Sequence, residues 1–319
     1  MQPAFLCIGF QKCGTTTMYD LLRQHRGIVL TRDVKEPMYY RVKGFRAIGG
    51  KQWYENRYFG HIQPGDTRVC GEINAGLAFT HCAEKIGADF PRDTKLIFMM
   101  RNPVDRCYSA YKYFGALGFL PMADVEYDLR YGHAEGFDHY VRRVLDDPYQ
   151  RSAIMKKRLK YLCFSQGNYS QCIQEFLRYF PRENMKFIVF EEFVRDQQGV
   201  CRALYDFLGV DDDPTVQYDL RSNEGVLRAA SPLHSKIRVS DGGIHYFFHE
   251  FLDLSRRLPS AYSWYDTMHR RLQSKCIVEE TDFSGMKPET RARLEQYYRR
   301  QVRGVEKLMH RDLHEIWFA

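Results

Sequence analysis

Lys12 stands inside a glycine-bounded turn, Gly9-Phe10-Gln11-Lys12-Cys13-Gly14, which follows the apolar run Ala4 to Phe10 and leads into Thr15, Thr16 and Thr17. Those residue types at that spacing describe an anion site. A strand that turns sharply into a helix aims unpaired backbone N–H groups and the positive end of the helix dipole at one point. The glycines permit the turn, the threonine hydroxyls add donors, and Lys12 adds a full charge, so the turn suits a phosphate. It is not the Walker A loop, where lysine follows the last glycine; here lysine precedes it, which weakens a kinase or NTPase reading. No acidic metal partner is evident at the end of a second strand either. Taken alone, the turn also fits an ordinary strand-to-helix connection carrying a surface lysine.

A second set of donors lies in Lys95 to Phe114, KLIFMMRNPVDRCYSAYKYF. Arg101 falls at the C-terminal end of an apolar strand pattern, where ligands of open α/β sheets collect, and Ser109 follows eight residues later within a helical pattern. A planar guanidinium and a hydroxyl could clamp a second phosphate. A structural ion pair for Arg101 and a packing role for Ser109 explain the same residues equally well.

These residues need a frame. Continuous apolar runs at Ala4 to Phe10, Lys95 to Met100 and Met185 to Phe190 read as buried parallel strands, and Gly27 to Thr31 and Thr67 to Glu72 are weaker candidates. Amphipathic stretches between them, Thr16 to Gln24, Ala78 to Ile86, Pro103 to Phe114, Tyr169 to Phe180 and Phe193 to Leu208, read as helices. The alternation predicts an α/β fold with a P-loop-like central parallel sheet flanked by helices. Asn102-Pro103 serves as N-cap and first helical residue, and Gly209 as a helix stop. Pro288 to His314 is the clearest of the later helices.

The 319 residues, 44% apolar and 27% charged, suffice for a single domain over 1–319, with a mainly helical extension or insertion around 240–283. The net charge of +7 favours anionic ligands, while the absence of a long basic run argues against nucleic acid. Nine cysteines without a C-x-x-C pair suggest a reducing compartment rather than zinc or disulfides. No window of about 18 apolar residues reads as a membrane span. Cytoplasmic residence is the expectation, with a Golgi-luminal catalytic domain lacking its anchor as the alternative. His245/His249 and His310/His314 have i,i+4 spacing, but neither is H-E-x-x-H, and a helix face explains them better than a metal.

In order along the chain, QKCGTTTMYDLLRQH, KEPMYYR at Lys35 to Arg41, and RNPVDRCYSAY are similar to the sulfotransferases that use 3′-phosphoadenosine 5′-phosphosulfate, PAPS. The pattern resembles the carbohydrate O-sulfotransferases in particular, among them the N-acetylgalactosamine 4-sulfate 6-O-sulfotransferase type and the heparan sulfate enzymes. The resemblance continues through Gly167 to Phe193 and ends at YYRRQVRGVEKLM; Gly115 to Gln166 and Ser240 to Phe283 have no clear counterpart. It implies the sulfotransferase fold. It also implies that Lys12, Cys13, Gly14, Thr15 and Thr16 hold the phosphosulfate end of PAPS, and that Arg101 and Ser109 hold the 3′-phosphate. Arg228, in a region where these enzymes have a basic loop, is a further phosphate contact by the same resemblance.

Lys12 and Glu36 are the catalytic residues so implied: Lys12 for charge on the leaving oxygen, Glu36 as general base toward the acceptor hydroxyl. Without its neighbours, Lys35-Glu36 before Pro37 would read as a solvated surface pair. Adenosine 3′,5′-bisphosphate is the implied product, no metal is required, and the implied acceptor is a hydroxyl, on a glycan. A lipid, sterol-like or secondary-metabolite alcohol is the alternative acceptor. A non-catalytic nucleotide-binding module and a nucleotide phosphotransferase are the alternative functions. Met38, Tyr39, Tyr40, Trp53 and Tyr54 suit either an acceptor cleft or core packing. GEINAG, with Ile73 where the heparan sulfate enzymes carry lysine, departs from their acceptor pattern.

Overall fold

The computed structural model describes residues 2–37, 39–40, 43–78, 82–116, 135–146, 162–220, 228–230, 277–280 and 286–318. They fall into two compact units: 1–106, 166–224 and 295–319 in the first, 107–165 and 225–294 in the second.

The first unit is built on five parallel strands: β1 Phe5–Cys7, β2 Ile28–Leu30, β3 Val69–Ile73, β4 Lys95–Met100 and β5 Met185–Val189. Their spatial order is β2-β3-β1-β4-β5. Leu6 sits opposite Glu72 on one side and Leu96 on the other, and Met100 lies opposite Val189. Phe5 to Cys7 and Leu96 to Met100 are fully buried, which is why they read as unbroken apolar runs rather than alternating ones. Helix α1, Thr15–Leu22, leads from β1 toward β2, whereas the chain leaving β4 goes to β5 on the opposite side. The connections therefore diverge between β1 and β4, which brings the turn after β1 and Arg101 after β4 to the edges of one crevice at the strands' C-terminal ends.

Local chemistry sets several boundaries. Helix α4, Pro103–Ala116, starts where the Asn102 side chain accepts from the Val104 N–H at 2.9 Å. The helix Gln197–Leu208 ends on Gly209 in the left-handed region (φ 77°). The expectation of one helix from Phe193 to Leu208 is corrected. Two short helices, Phe190–Arg195 and Gln197–Leu208, meet at Asp196, whose side chain accepts from the Gly199 N–H at 2.8 Å and caps the second. Helix α2, Lys43–Phe59, broken at Gly50 (φ 60°), is not evident in the apolar pattern; α3, Ala83–Asp89, precedes β4. The last turns of α2 bury Tyr54 against Tyr39, Tyr40 and Phe90, with Tyr58 packed on Tyr54.

The described residues of the second unit pack Tyr108 and Tyr111 of α4 against Phe137 and Tyr140 of the helix Glu135–Asp146. Strands β6, Arg228–Ala230, and β7, Ile277–Glu280, pair antiparallel.

Candidate active site

The turn after β1 is held against β4 before it leaves the sheet: the Ile8 N–H donates to the Ile97 carbonyl at 2.9 Å, and the Phe10 N–H to the Met99 carbonyl at 3.0 Å. Gly9 has no room for a side chain, since a Cβ there would lie 2.5 Å from Thr15 Cγ2. Gly14, at φ 83° and ψ 12°, is the N-cap of α1, and no side chain caps the helix. The first-turn N–H groups of α1 are thus left to something other than a capping side chain.

Lys12 itself has φ 65°. A non-glycine residue there costs about 1–2 kcal/mol, and such strain clusters where a side chain must be aimed. Cys13 is fully buried. Burial pushes its thiol up to about 12, while Arg106 and then Arg101 pull the other way. Cys13 is accordingly a neutral packing residue, and what it can offer a ligand is its backbone. The same balance shows that two guanidinium charges, Arg101 and the fully buried Arg106, act on the turn. Arg106 belongs to the same R-x-P-x-x-R segment as Arg101, so the motif could have flagged it.

The Arg101 backbone is fixed by Tyr169, whose hydroxyl donates to the Arg101 carbonyl at 2.7 Å. Its guanidinium lies over the Phe190 ring, 4.8 Å from the centroid. A Cβ on Gly14 would come within 2.9 Å of that same ring. Phe190 therefore lies against both the anion turn and Arg101 and restricts how the guanidinium can swing. Behind them, Glu191 accepts from the Asn102 N–H at 2.8 Å and from the Trp317 indole N–H at 2.9 Å, tying the end of the chain to the start of α4.

Glu36 reaches the turn through its neighbour. The Lys35 ammonium is 2.9 Å from Glu36 Oε1 and 3.5 Å from the Thr15 hydroxyl oxygen, and both side chains of the pair are partly exposed. Their charges are also felt at the end of β1: burial pushes the Cys7 thiol up to about 12, Lys35 opposes that rise and Glu36 adds to it. Lys35 had no assigned role in the sequence, where it read as the solvated half of a pair.

Lys12, Cys13, Gly14, Thr15, Thr16, Glu36 and Arg101 all belong to the first unit, while Ser109 and the β6 backbone of Arg228 belong to the second. The Arg228 side chain, Met38, His245 and His249 lie outside the described residues. Tyr39, Tyr40 and Tyr54 are at most 1% exposed and pack the core, leaving Trp53 as the half-buried member of that group. Glu72 is fully buried, accepting from the Tyr54 hydroxyl and from Asn74. His310 and His314 do not share a helix face: the helix Pro288–Met309 ends before His310 (φ 52°), and His314 begins a new one. Among the described residues no helix is long and apolar enough to cross a membrane, and no group of three or more His, Cys, Asp and Glu could hold a metal ion.

A family model for the sulfotransferase domain matches residues 2–224. The chain is 23% identical over 216 residues to the bifunctional heparan sulfate N-deacetylase/N-sulfotransferase 1 of Caenorhabditis briggsae, covering 66% of this chain and 23% of that protein. It is 27% identical over 155 residues to human carbohydrate sulfotransferase 15, covering 36% and 28% respectively. Against human heparan sulfate glucosamine 3-O-sulfotransferase 6 it is 27% identical over 210 residues, covering 65% and 52%. The matches thus span from about a quarter to half of these relatives' length. A solved sulfotransferase from Alicyclobacillus acidocaldarius shares the fold over 100% of both chains, with a TM-score of 0.61 and 23% identity.

Proposed function

The chain belongs to the sulfotransferase domain family, and from that premise we propose that it transfers a sulfuryl group from PAPS to an acceptor hydroxyl on a carbohydrate. The observation that carries the reading is the Lys35 bridge, which brings the Glu36 carboxylate to the first turn of α1 beside the anion turn. A phosphate cradle alone would serve many ligands. A cradle with a carboxylate beside it suits a reaction in which a hydroxyl must lose a proton as it attacks.

The residues present fit the donor. Lys12 and Lys35 supply charge, Thr15 and Thr16 supply hydroxyls and N–H groups, and Arg101 supplies a planar fork whose position is set by Phe190 and Tyr169. When bound, PAPS supplies the sulfuryl group and leaves as adenosine 3′,5′-bisphosphate. Lys12 stabilises the negative charge that grows on the departing bridge oxygen, a contact worth more in the transition state than in the ground state. Glu36 takes the acceptor's proton, and the Lys35 ammonium, 2.9 Å away, holds the carboxylate in place. Arg101 binds the 3′-phosphate. Similarity to carbohydrate and heparan sulfate sulfotransferases supports a carbohydrate acceptor.

The test is mass spectrometry of acceptor pools incubated with PAPS, in parallel with ATP and magnesium. Sulfate added to an oligosaccharide hydroxyl is expected. Phosphate transfer, or sulfate on sterol or lipid alcohols alone, would overturn the reading.

Arg101 offers a separate check. Arg101→Ala should weaken adenosine 3′,5′-bisphosphate binding by the roughly 1–3 kcal/mol typical of a charged hydrogen-bond partner lost, or about 5- to 150-fold in Kd. Binding of adenosine 5′-phosphate, which lacks the 3′ group, should barely change. Calorimetry with both nucleotides decides it, and equal losses for the two would remove Arg101 from the 3′-phosphate.

A further inference from the structure

The Lys35-Glu36 dipeptide lies between two carbonyls that are both tied down. The Thr31 hydroxyl donates to the Val34 carbonyl at 2.6 Å on one side. On the other, the Asn74 side-chain amide donates to the Pro37 carbonyl at 2.7 Å. Thr31 follows β2 and Asn74 follows β3, so both anchors rise from the C-terminal ends of neighbouring strands.

Asn74 is itself fixed in every direction. It is fully buried, its backbone N–H donates to the Cys7 carbonyl at 3.0 Å, and its side-chain oxygen accepts from the Gly76 N–H at 3.0 Å. The second proton of its amide goes to Glu72 Oε1 at 2.8 Å, and the other Glu72 oxygen accepts from the Tyr54 hydroxyl. Placing a carboxylate, an amide and a phenol in the interior of a sheet is costly unless each is hydrogen-bonded, and an apolar trio would pack there at less cost. The network reaches the candidate site through the Pro37 carbonyl next to Glu36. Proline has no N–H of its own to hold the segment, so the carbonyl is the handle.

We propose that Thr31 and Asn74, the latter backed by Glu72 and Tyr54, are positioning residues for sulfuryl transfer, clamping the chain on either side of Lys35-Glu36 so that the Glu36 carboxylate stays at the anion turn. The inference rests on Glu36 acting as the base. Its energetic basis is general: a catalytic group displaced by about 1 Å can lose about 10²-fold in rate, while a group already absent loses nothing by being misplaced.

That asymmetry supplies the test. The variants Thr31→Val and Asn74→Ala are made in the wild-type and the Glu36→Gln backgrounds. Release of adenosine 3′,5′-bisphosphate from PAPS is followed with chondroitin and heparosan oligosaccharides, and with water as the remaining acceptor. Each variant should lower kcat by about tenfold or more in the wild-type background and by less than about twofold in Glu36→Gln. The affinity for adenosine 3′,5′-bisphosphate should stay unchanged throughout. Damage to the fold alone would lower the rate by the same factor in both backgrounds, and that result overturns the clamp, as does a near-wild-type kcat in either variant. Thr31→Val keeps the side chain's size, so the test survives if Asn74→Ala does not fold. A wild-type protein that releases no nucleotide with any acceptor overturns the functional reading instead.

Discussion

Glu36→Gln should lower kcat by about 10²–10⁴-fold, the range general-base catalysis contributes. An alcohol is scarcely ionised at neutral pH, so its attack on sulfur needs an acceptor for the proton while the new bond forms. Glutamine keeps the shape and can still hydrogen-bond, but it cannot take the proton. The Lys35 ammonium, 2.9 Å from the carboxylate, would lose its ionic partner, yet it remains within 3.5 Å of the Thr15 hydroxyl. Since Glu36 is partly exposed, the substitution leaves no buried charge and should cost little stability. Binding of adenosine 3′,5′-bisphosphate, measured by calorimetry, should therefore stay at the wild-type level. A Glu36→Gln enzyme that turns over near the wild-type rate would assign the base elsewhere, and not to Glu72, whose fully buried carboxylate is engaged by Tyr54 and Asn74.

Lys12→Ala should lower kcat by about 10²–10³-fold, the usual cost of removing one donor from developing negative charge. The thermal midpoint should hold, because alanine keeps the Cβ that the left-handed conformation disfavours and the Lys12 side chain is not part of the core. Lys12→Gly, which relieves the backbone strain, should be more stable and equally slow. Rate and stability moving in opposite directions would identify the strain as serving the reaction. A near-normal kcat in either variant would remove Lys12 from the chemistry.

The sequence by itself determined the sheet's buried strands, because Phe5 to Cys7 and Leu96 to Met100 are covered on both faces and must be continuously apolar. It determined the anion turn, since a left-handed N-cap and a strand-to-helix corner demand Gly14 and Gly9. It also determined the helix start at Asn102-Pro103 and the stop at Gly209, whose chemistry is local. These are features in which neighbours in the chain are neighbours in space.

Only the tertiary structure decided what surrounds the candidate site. Phe190 meets Gly14 and Arg101, Tyr169 fixes the Arg101 carbonyl, Trp317 and Glu191 brace the start of α4, and Thr31 and Asn74 grip the segment around Glu36. Except for Thr31, whose Val34 partner is three residues along the chain, each pair is brought together by the tertiary fold, across separations that leave no periodic trace in the chain. Asp196 shows the converse: a polar residue within an apolar helical pattern turned out to be a cap, because its carboxylate satisfies the Gly199 N–H better than a continued helix would. Residue type made Lys12 and Arg101 candidates, and the resemblance added Glu36. The turn that carries Lys12 and the strand end that carries Arg101 adjoin because β1 and β4 are neighbouring parallel strands whose connections diverge, and that divergence is a property of the assembled sheet rather than of any segment within it.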